Sequence, residues 1–326
     1  MKFTIGFEKE DTKKLHEYWD KIIETHQWAE GNYTRLFEEK WSYYNQLKSV
    51  AFSNWFGAAL TALEFFNIKG KTVLCPSNTF MATPLSVIKS GGQVEFIDCN
   101  TCDLCLSMDS LKEKIAKYNP AAVWVVHIGG HIAFQIEEIA ELCRSKKIIL
   151  IEDCAHAHGA SWNSRKPGSY GDAGIYSFYA TKTISTGEGG MLVSNNNDLL
   201  EFARQYRNYG KPDYQVEGLN HRMSEFTAAI GCIQTDRISD IVGWKNEYAL
   251  KHLDSKYSNR VMFPEGMVSG YYKYIVFDPI EKSTGKVYDK PCHHILDKRY
   301  VLPNTDWVSK NHWCVPLYYN GNSRLI

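Results

Sequence analysis

Apolar residues recur along this chain with two different periods, and the points where one yields to the other outline its elements. Helical spacing runs from Asp11 to Glu24 and from Tyr33 to Gln46, gives way to a strand near Ser49 to Phe52, and returns from Phe56 to Phe66. Short apolar blocks then predict strands at Thr72 to Cys75, Val94 to Ile97, Ala122 to His127, Ile148 to Ile151, Ile175 to Phe178 and Met191 to Ser194. Helix-like segments such as Gln135 to Lys146 separate them. The block Ile148 to Ile151 lacks alternation, as a strand buried on both faces of a parallel sheet does. Strands alternating with helices predict an α/β fold with a mixed, mostly parallel sheet. A helical run from Met223 to Ile238 closes an expected large domain over 1–238. Residues 239–326, rich in Tyr and Trp from Val242 onward, are expected to form a smaller C-terminal α/β domain. No internal repeat or low-complexity linker interrupts the pattern.

Chemistry gathers at two strand ends. Lys182 follows the apolar GIYSFYATK and precedes the glycine-rich TGEGG. An amine lifted from bulk water onto a defined turn can lose its proton and form a Schiff base, although a lysine beside a loop is more commonly a solvated surface charge. Upstream, KKIILIED ends at Glu152 and Asp153, and ligands of open α/β sheets sit beyond the carboxyl ends of strands. An aspartate there can hold a pyridine nitrogen protonated, the arrangement an electron-sink cofactor needs; it can equally cap the next helix.

Composition narrows the field. The 326 residues are 44% hydrophobic with a formal net charge of zero, enough chain for a sizeable core and no general attraction to nucleic acid. No apolar run spans a bilayer, and MKFTIGFEKEDTKK lacks the form of a leader, so a cytoplasmic location without membrane partners is expected, with nine reduced cysteines. Cys99, Cys102 and Cys105 have successive C-x-x-C spacings but no second ligand pair. His127 and His131 are interrupted by Gly129 and Gly130. No metal is expected. No G-x-G-x-x-G follows a first strand, which disfavours a nicotinamide cofactor.

The segments IEDCAHAHGA, GSYGDAGIYSFYATKTISTGEGGMLVS and RNYG, with WAEGNYTRLFEEKW, SNWFGAALTAL, CPSNTFMATPLSVIKSGGQVEFID and LNHRMSEFTAAIG, closely resemble the DegT/DnrJ/EryC1/StrS family of sugar aminotransferases. The resemblance implies the aspartate aminotransferase (type I) fold and pyridoxal 5′-phosphate, with Lys182 as the catalytic lysine and Asp153 beneath the ring nitrogen. It further implies that Phe80 stacks on the ring, that His156 lies near the ring oxygen and the substrate, and that Ser177 binds the phosphate. Asn220 would reach that phosphate from a partner subunit, which implies a homodimer with shared sites. Arg222 would bind the donor's carboxylate. Where the family carries Ser-Gly-Thr at the phosphate turn, this chain reads Trp55-Phe56-Gly57, leaving the amides of Phe56 and Gly57 but no hydroxyls. Taken singly, these residues also read as ordinary structure: Phe80 as core, His156 as a cap, Ser177 as strand filler, Asn220 as a turn residue, Arg222 in an ion pair.

The expected reaction is ping-pong transfer of an amino group from glutamate or glutamine to the keto group of a nucleotide-linked deoxysugar, through a Schiff base on Lys182. In the family, dehydratases carry histidine in place of that lysine, so Lys182 favours transamination. The Trp55-Phe56 pair and an ending at SRLI, short for the family, support a non-catalytic paralogue as the rival.

Overall fold

The computed structural model describes residues 6–319, so the first residues of the leader reading and the final SRLI lie outside it. Strands form at Lys48–Phe52 (β1), Thr72–Pro76 (β2), Gln93–Ile97 (β3), Ala122–Val126 (β4), Ile149–Asp153 (β5), Ser161–Trp162 (β6), Ala173–Ser177 (β7) and Gly190–Ser194 (β8). All but β6 join one sheet in the order β1-β8-β7-β5-β4-β2-β3. Strand β8 pairs antiparallel with both β1 and β7, and every other neighbouring pair is parallel. This is the mixed, mostly parallel sheet that the apolar blocks predict.

Helices alternate with these strands: Lys9–Thr25 (α1), Asn32–Asn45 (α2), Trp55–Phe65 (α3), Ala82–Lys89 (α4), Met108–Tyr118 (α5), Ile136–Lys146 (α6), Asn197–Tyr206 (α7) and Glu225–Tyr248 (α8). Parallel neighbours require such crossovers, and the sheet is therefore covered on both faces. Successive residues of β5 enter different cores: Leu150 packs with Val125, Tyr176 and Val193, Ile151 with Ala58, Trp124 and Leu192. The same alternation sends Glu152 and Asp153 to opposite faces of one strand end.

Helix α8 starts later and runs further than the pattern predicts. Ser224 caps it, its side chain accepting the Thr227 amide at 3.2 Å, so Met223 lies outside the helix. The helix passes position 238 without interruption and continues through a π-helical turn at Ala249–Leu253. Its first residue, Glu225, is 1% exposed and accepts the amides of Gly31, Tyr33 and Thr34 at 2.9, 2.7 and 3.0 Å. Those are the otherwise unpaired donors at the start of α2, so the carboxylate bolts α2 to α8.

Beyond α8 the elements are short: strands Met267–Val268 (β9), Tyr274–Val276 (β10) and Trp313–Val315 (β11), with helices Cys292–Leu296 (α9) and Pro303–Lys310 (α10). Strands β10 and β11 pair antiparallel, and Leu253, Tyr271, Tyr274 and Val315 form a small separate core. This region docks onto the sheet through the turn after β4. Gly130 sits at φ +111°, and a Cβ there would come within 2.5 Å of the Tyr272 amide nitrogen. The bare backbone lets Gly130 O accept from Gly270 N at 2.7 Å and Gly129 O from Lys273 N at 2.8 Å. Among the described residues no helix is long and apolar enough to cross a membrane.

Candidate active site

Register brings the chemistry together. Asp153 ends β5 opposite Val126 of β4 and Ile175 of β7, so Ser177 follows two residues further along the neighbouring strand. The chain then leaves β7 in an arch held by bonds from Phe178 N to Gly189 O and from Thr186 N to Phe178 O, each 2.9 Å. Inside this arch Lys182 N donates to Tyr179 O at 2.9 Å, fixing the turn that carries the amine. The Lys182 Nζ stands 5.0 Å above the centre of the Tyr272 ring, delivered by the docking at Gly129 and Gly130.

Asp153, 4% exposed, accepts the Thr83 hydroxyl and the Ala155 amide, both at 3.0 Å. Burial pushes its carboxyl up from the usual range, against the opposing pull of those bonds and of Lys182. Burial likewise pushes Lys182 down to about 8, with Asp153 pulling it up and Lys273 pushing it further down. In both groups desolvation outweighs their mutual attraction, so the amine loses its proton far more readily than a surface lysine. Glu152, on the other face, is structural: it accepts the amides of Gly168, Tyr170 and Gly171 at 2.7, 2.7 and 2.6 Å and lies 2.9 Å from His127 Nε2.

His156 lies beside this pair, 5% exposed, its ring stacked on Tyr272 at 4.1 Å and on Tyr288 at 5.6 Å between centroids. Tyr288 Oη is 3.3 Å from its Nε2, while Nδ1 has no partner. Burial, with Lys182 nearby, holds the imidazole well below its ordinary pKa, so it is neutral. Burial and the Asp153 carboxylate push the Tyr288 phenol well up. Tyr272, whose hydroxyl is 3.2 Å from Thr181 Oγ1, therefore joins Lys182 to His156.

The remaining expected residues separate into groups. Ser177 is buried, its hydroxyl accepting the Tyr179 amide at 3.3 Å. Phe80, in the loop before α4, is 64% exposed. Trp55 turns inward, 7% exposed, its ring 5.5 Å from that of Trp124, so it packs in the core; Phe56 is half-buried. The Gly57 amide already donates to the α3 cap Asn54 at 2.8 Å. Asn220 is exposed and Arg222 binds Asn208 Oδ1 at 2.7 Å; their contacts within the chain are to the turn after α7, not to Asp153, His156 or Lys182.

Thr83, Tyr272, Lys273 and Tyr288 are absent from the sequence-derived set. Gly129 and Gly130, which the sequence marks only as an interruption between His127 and His131, are where the approach occurs, and nothing in the sequence says what approaches. Among the described residues Cys99, Cys102 and Cys105 form no converging ligand set; Cys99 and Cys105 are buried in the core, and Cys102 is exposed. His127 and His131 diverge, His131 Nε2 lying 3.0 Å from Asp103 O.

The fit to pyridoxal phosphate differs between its two ends. The buried carboxylate, the amine near pKa 8 and the unpartnered His156 Nδ1 suit a polar heterocycle carrying an aldehyde and a ring oxygen. For a phosphate the chain offers the Ser177 hydroxyl and the Phe56 amide, the Gly57 amide being taken by Asn54. The residues fit the group.

Sheet order and strand-end chemistry define an α/β protein of the pyridoxal-phosphate-dependent aminotransferase fold. A solved DegT DnrJ EryC1 StrS aminotransferase from Brucella abortus superposes with a TM-score of 0.88, covering 95% of this chain and 91% of that one at 22% identity. The chain belongs to the DegT/DnrJ/EryC1/StrS aminotransferase family, whose model matches residues 9–260. Among curated relatives, the GDP-perosamine synthase of Escherichia coli O157:H7 is 31% identical over 258 residues, 76% of this chain and 70% of its own length. A UDP-4-amino-4,6-dideoxy-N-acetyl-beta-L-altrosamine transaminase of Campylobacter jejuni is 31% identical over 261 residues, 72% of this chain and 69% of its own.

Proposed function

We propose that this chain transfers an amino group from glutamate, or glutamine, to the keto group of a nucleotide-linked deoxysugar, by a ping-pong route with pyridoxal 5′-phosphate as cofactor. The observation that carries the reading is the half-buried Lys182 amine, its pKa lowered to about 8, near the buried Asp153 carboxylate at the carboxyl end of a central strand. Relatives named for nucleotide-linked amino sugars support the acceptor class.

When bound, the cofactor supplies a protonated pyridine ring that takes up the electron pair left when the donor's α-carbon loses a proton. Asp153 keeps that ring nitrogen protonated, anchored by Thr83 and the Ala155 amide. The lowered pKa of Lys182 lets the freed amine accept the α-proton and return it one carbon away. Neutral His156 offers a hydrogen bond beside the ring without adding charge, and Tyr272 holds its plane. Phe80, exposed in the loop before α4, would stack on the ring. Ser177 and the Phe56 amide bind phosphate, Asn220 of the partner subunit completes that site, and Arg222 takes the donor carboxylate.

Two observations favour a non-catalytic binding paralogue as the second reading: Asn54 occupies the Gly57 amide, and Tyr288 packs against His156 near Asp153. One titration separates the two. Adding pyridoxal phosphate produces a visible absorption band that bleaches with glutamate, and nucleotide-linked 3-keto or 4-keto 6-deoxysugars then gain the mass of keto-to-amine exchange. No band, or a band unchanged by glutamate and glutamine, overturns the enzyme reading.

A further inference from the structure

We propose that His293, His294 and Asp306 form a binding site for one divalent transition-metal ion, by ligand type Zn²⁺, that braces α9 and α10 against the loop carrying Phe80. His293 and His294 lie side by side in α9, their ring centroids 4.3 Å apart, and Asp306 faces them from α10. Asp306 Oδ1 is 3.4 Å from His293 Nε2 and 2.8 Å from His294 Nε2. Neither contact is made as a hydrogen bond. Asp306 Oδ1 and the fully buried His293 Nε2 each lack a hydrogen-bond partner. Two buried polar atoms left unpaired at such short range carry a desolvation cost that a shared cation removes.

The geometry suits a tetrahedral ion. With metal–nitrogen and metal–oxygen bonds of about 2.0–2.2 Å, ligand atoms of one tetrahedron stand roughly 3.3–3.6 Å apart. The His293–Asp306 separation of 3.4 Å already has that value, and the 2.8 Å separation needs only a small opening. Ser77 Oγ lies 2.7 Å from His293 Nδ1 and also accepts the His293 amide at 3.0 Å. When Ser77 Oγ accepts from Nδ1–H, Nε2 is left with its lone pair outward, the tautomer that a metal selects. The His294 side chain is 46% exposed, which gives an ion its path in and water the fourth position. Two imidazoles and one carboxylate favour Zn²⁺ over magnesium or calcium, which prefer oxygen alone.

The surroundings are already fixed. Asp98, at the end of β3, accepts the amides of Asn304 and Thr305 at 3.1 and 2.7 Å, seating α10. Cys292 N donates to Ser77 O at 2.9 Å, and its thiol to Thr79 O at 3.2 Å. The ligands thus stand on supports that run through Ser77 and Thr79 to Thr83 and Asp153. The adjacent histidines lack the spaced pattern that marks a zinc helix, so the chain alone gave no metal.

The test is Co²⁺ binding to the full chain after treatment with a chelator, in a Cys102→Ser background that removes the exposed thiol. The expected result is one Co²⁺ per chain with visible absorption of tetrahedral type, displaced by Zn²⁺. H294A and D306N each weaken binding about 100-fold or more while the far-ultraviolet circular dichroism stays unchanged. Absence of that absorption at stoichiometric Co²⁺, or its survival in folded H294A and D306N, overturns the site.

Discussion

At the scale of single residues, the site depends on burying a lysine without fully neutralising it. Lys182 has a pKa of about 8 in the folded chain against an ordinary 10.5, so below pH 8 the fold holds a charge that the unfolded chain carries at lower cost. The sign follows from proton counts. Between pH 8 and 10.5 the unfolded state binds more protons, and stability rises with pH across that window. In the cofactor-free protein, Lys182→Met is therefore expected to raise Tm at pH 7, by up to about 3 kcal/mol in unfolding free energy. The gain fades as the pH approaches 10.5. Thermal scans of both proteins across that range check it, and a pH-independent gain would assign the effect to packing instead. The same substitution should lower transamination by about 10²–10⁴-fold or more, since the proton carrier is gone. Tyr272 offers a milder contrast. Tyr272→Phe keeps the stack on His156, whereas Tyr272→Ala removes it, so the loss in kcat should follow the ring and not the hydroxyl.

At the scale of elements, caps and strand ends decide what the sequence discloses. Asp153 and Lys182 could be singled out because one ends an apolar strand and the other lies just beyond one, although the residues alone left Asp153 open as a cap and Lys182 as a surface charge. Glu152 was not separated from Asp153 by composition; the two-residue period does that, sending one carboxylate to the backbone amides of 168–171 and its neighbour to Thr83. Tyr272, Tyr288 and the His293–His294–Asp306 group were illegible because their short segments lack a period, and their positions come from docking at Gly129, Gly130 and Ser77. The onset of α8 was misjudged because Met223 is apolar, while Ser224 supplies the cap that starts the helix. Glu225 tests this level directly. Its carboxylate satisfies three amides of another helix start, so Glu225→Ala strips α2 of its cap and is expected to cost about 2–4 kcal/mol. Glu225→Gln, which keeps an acceptor, should cost less; urea denaturation of the two variants orders them.

At the scale of the whole molecule, the residues expected at the cofactor fall into two groups within one chain. Lys182, Asp153, His156 and Ser177 are gathered by one sheet, yet Asn220 and Arg222 stay with the turn after α7. The backbone of that turn is tied down by bonds from His221 N to Arg207 O at 2.9 Å and from Leu219 N to Tyr206 O at 2.7 Å. Arg207 is itself buried, pairing with Glu38 at 2.6 Å, so swinging the turn inward would break a desolvated ion pair. A rigid, exposed loop carrying two residues expected at the cofactor is better placed to serve a second copy than its own chain. If Asn220 acts across a two-fold interface, Asn220→Ala and Lys182→Ala are each nearly inactive alone, but their mixture regains activity. Random pairing makes half of the dimers mixed, each with one intact site of two, so about a quarter of wild-type activity returns after co-refolding. Recovery near that fraction, with a dimer mass by sedimentation, supports sharing. No recovery in dimers verified as mixed means that each chain completes its own site, and the role of Asn220 would then have to be sought within the protomer.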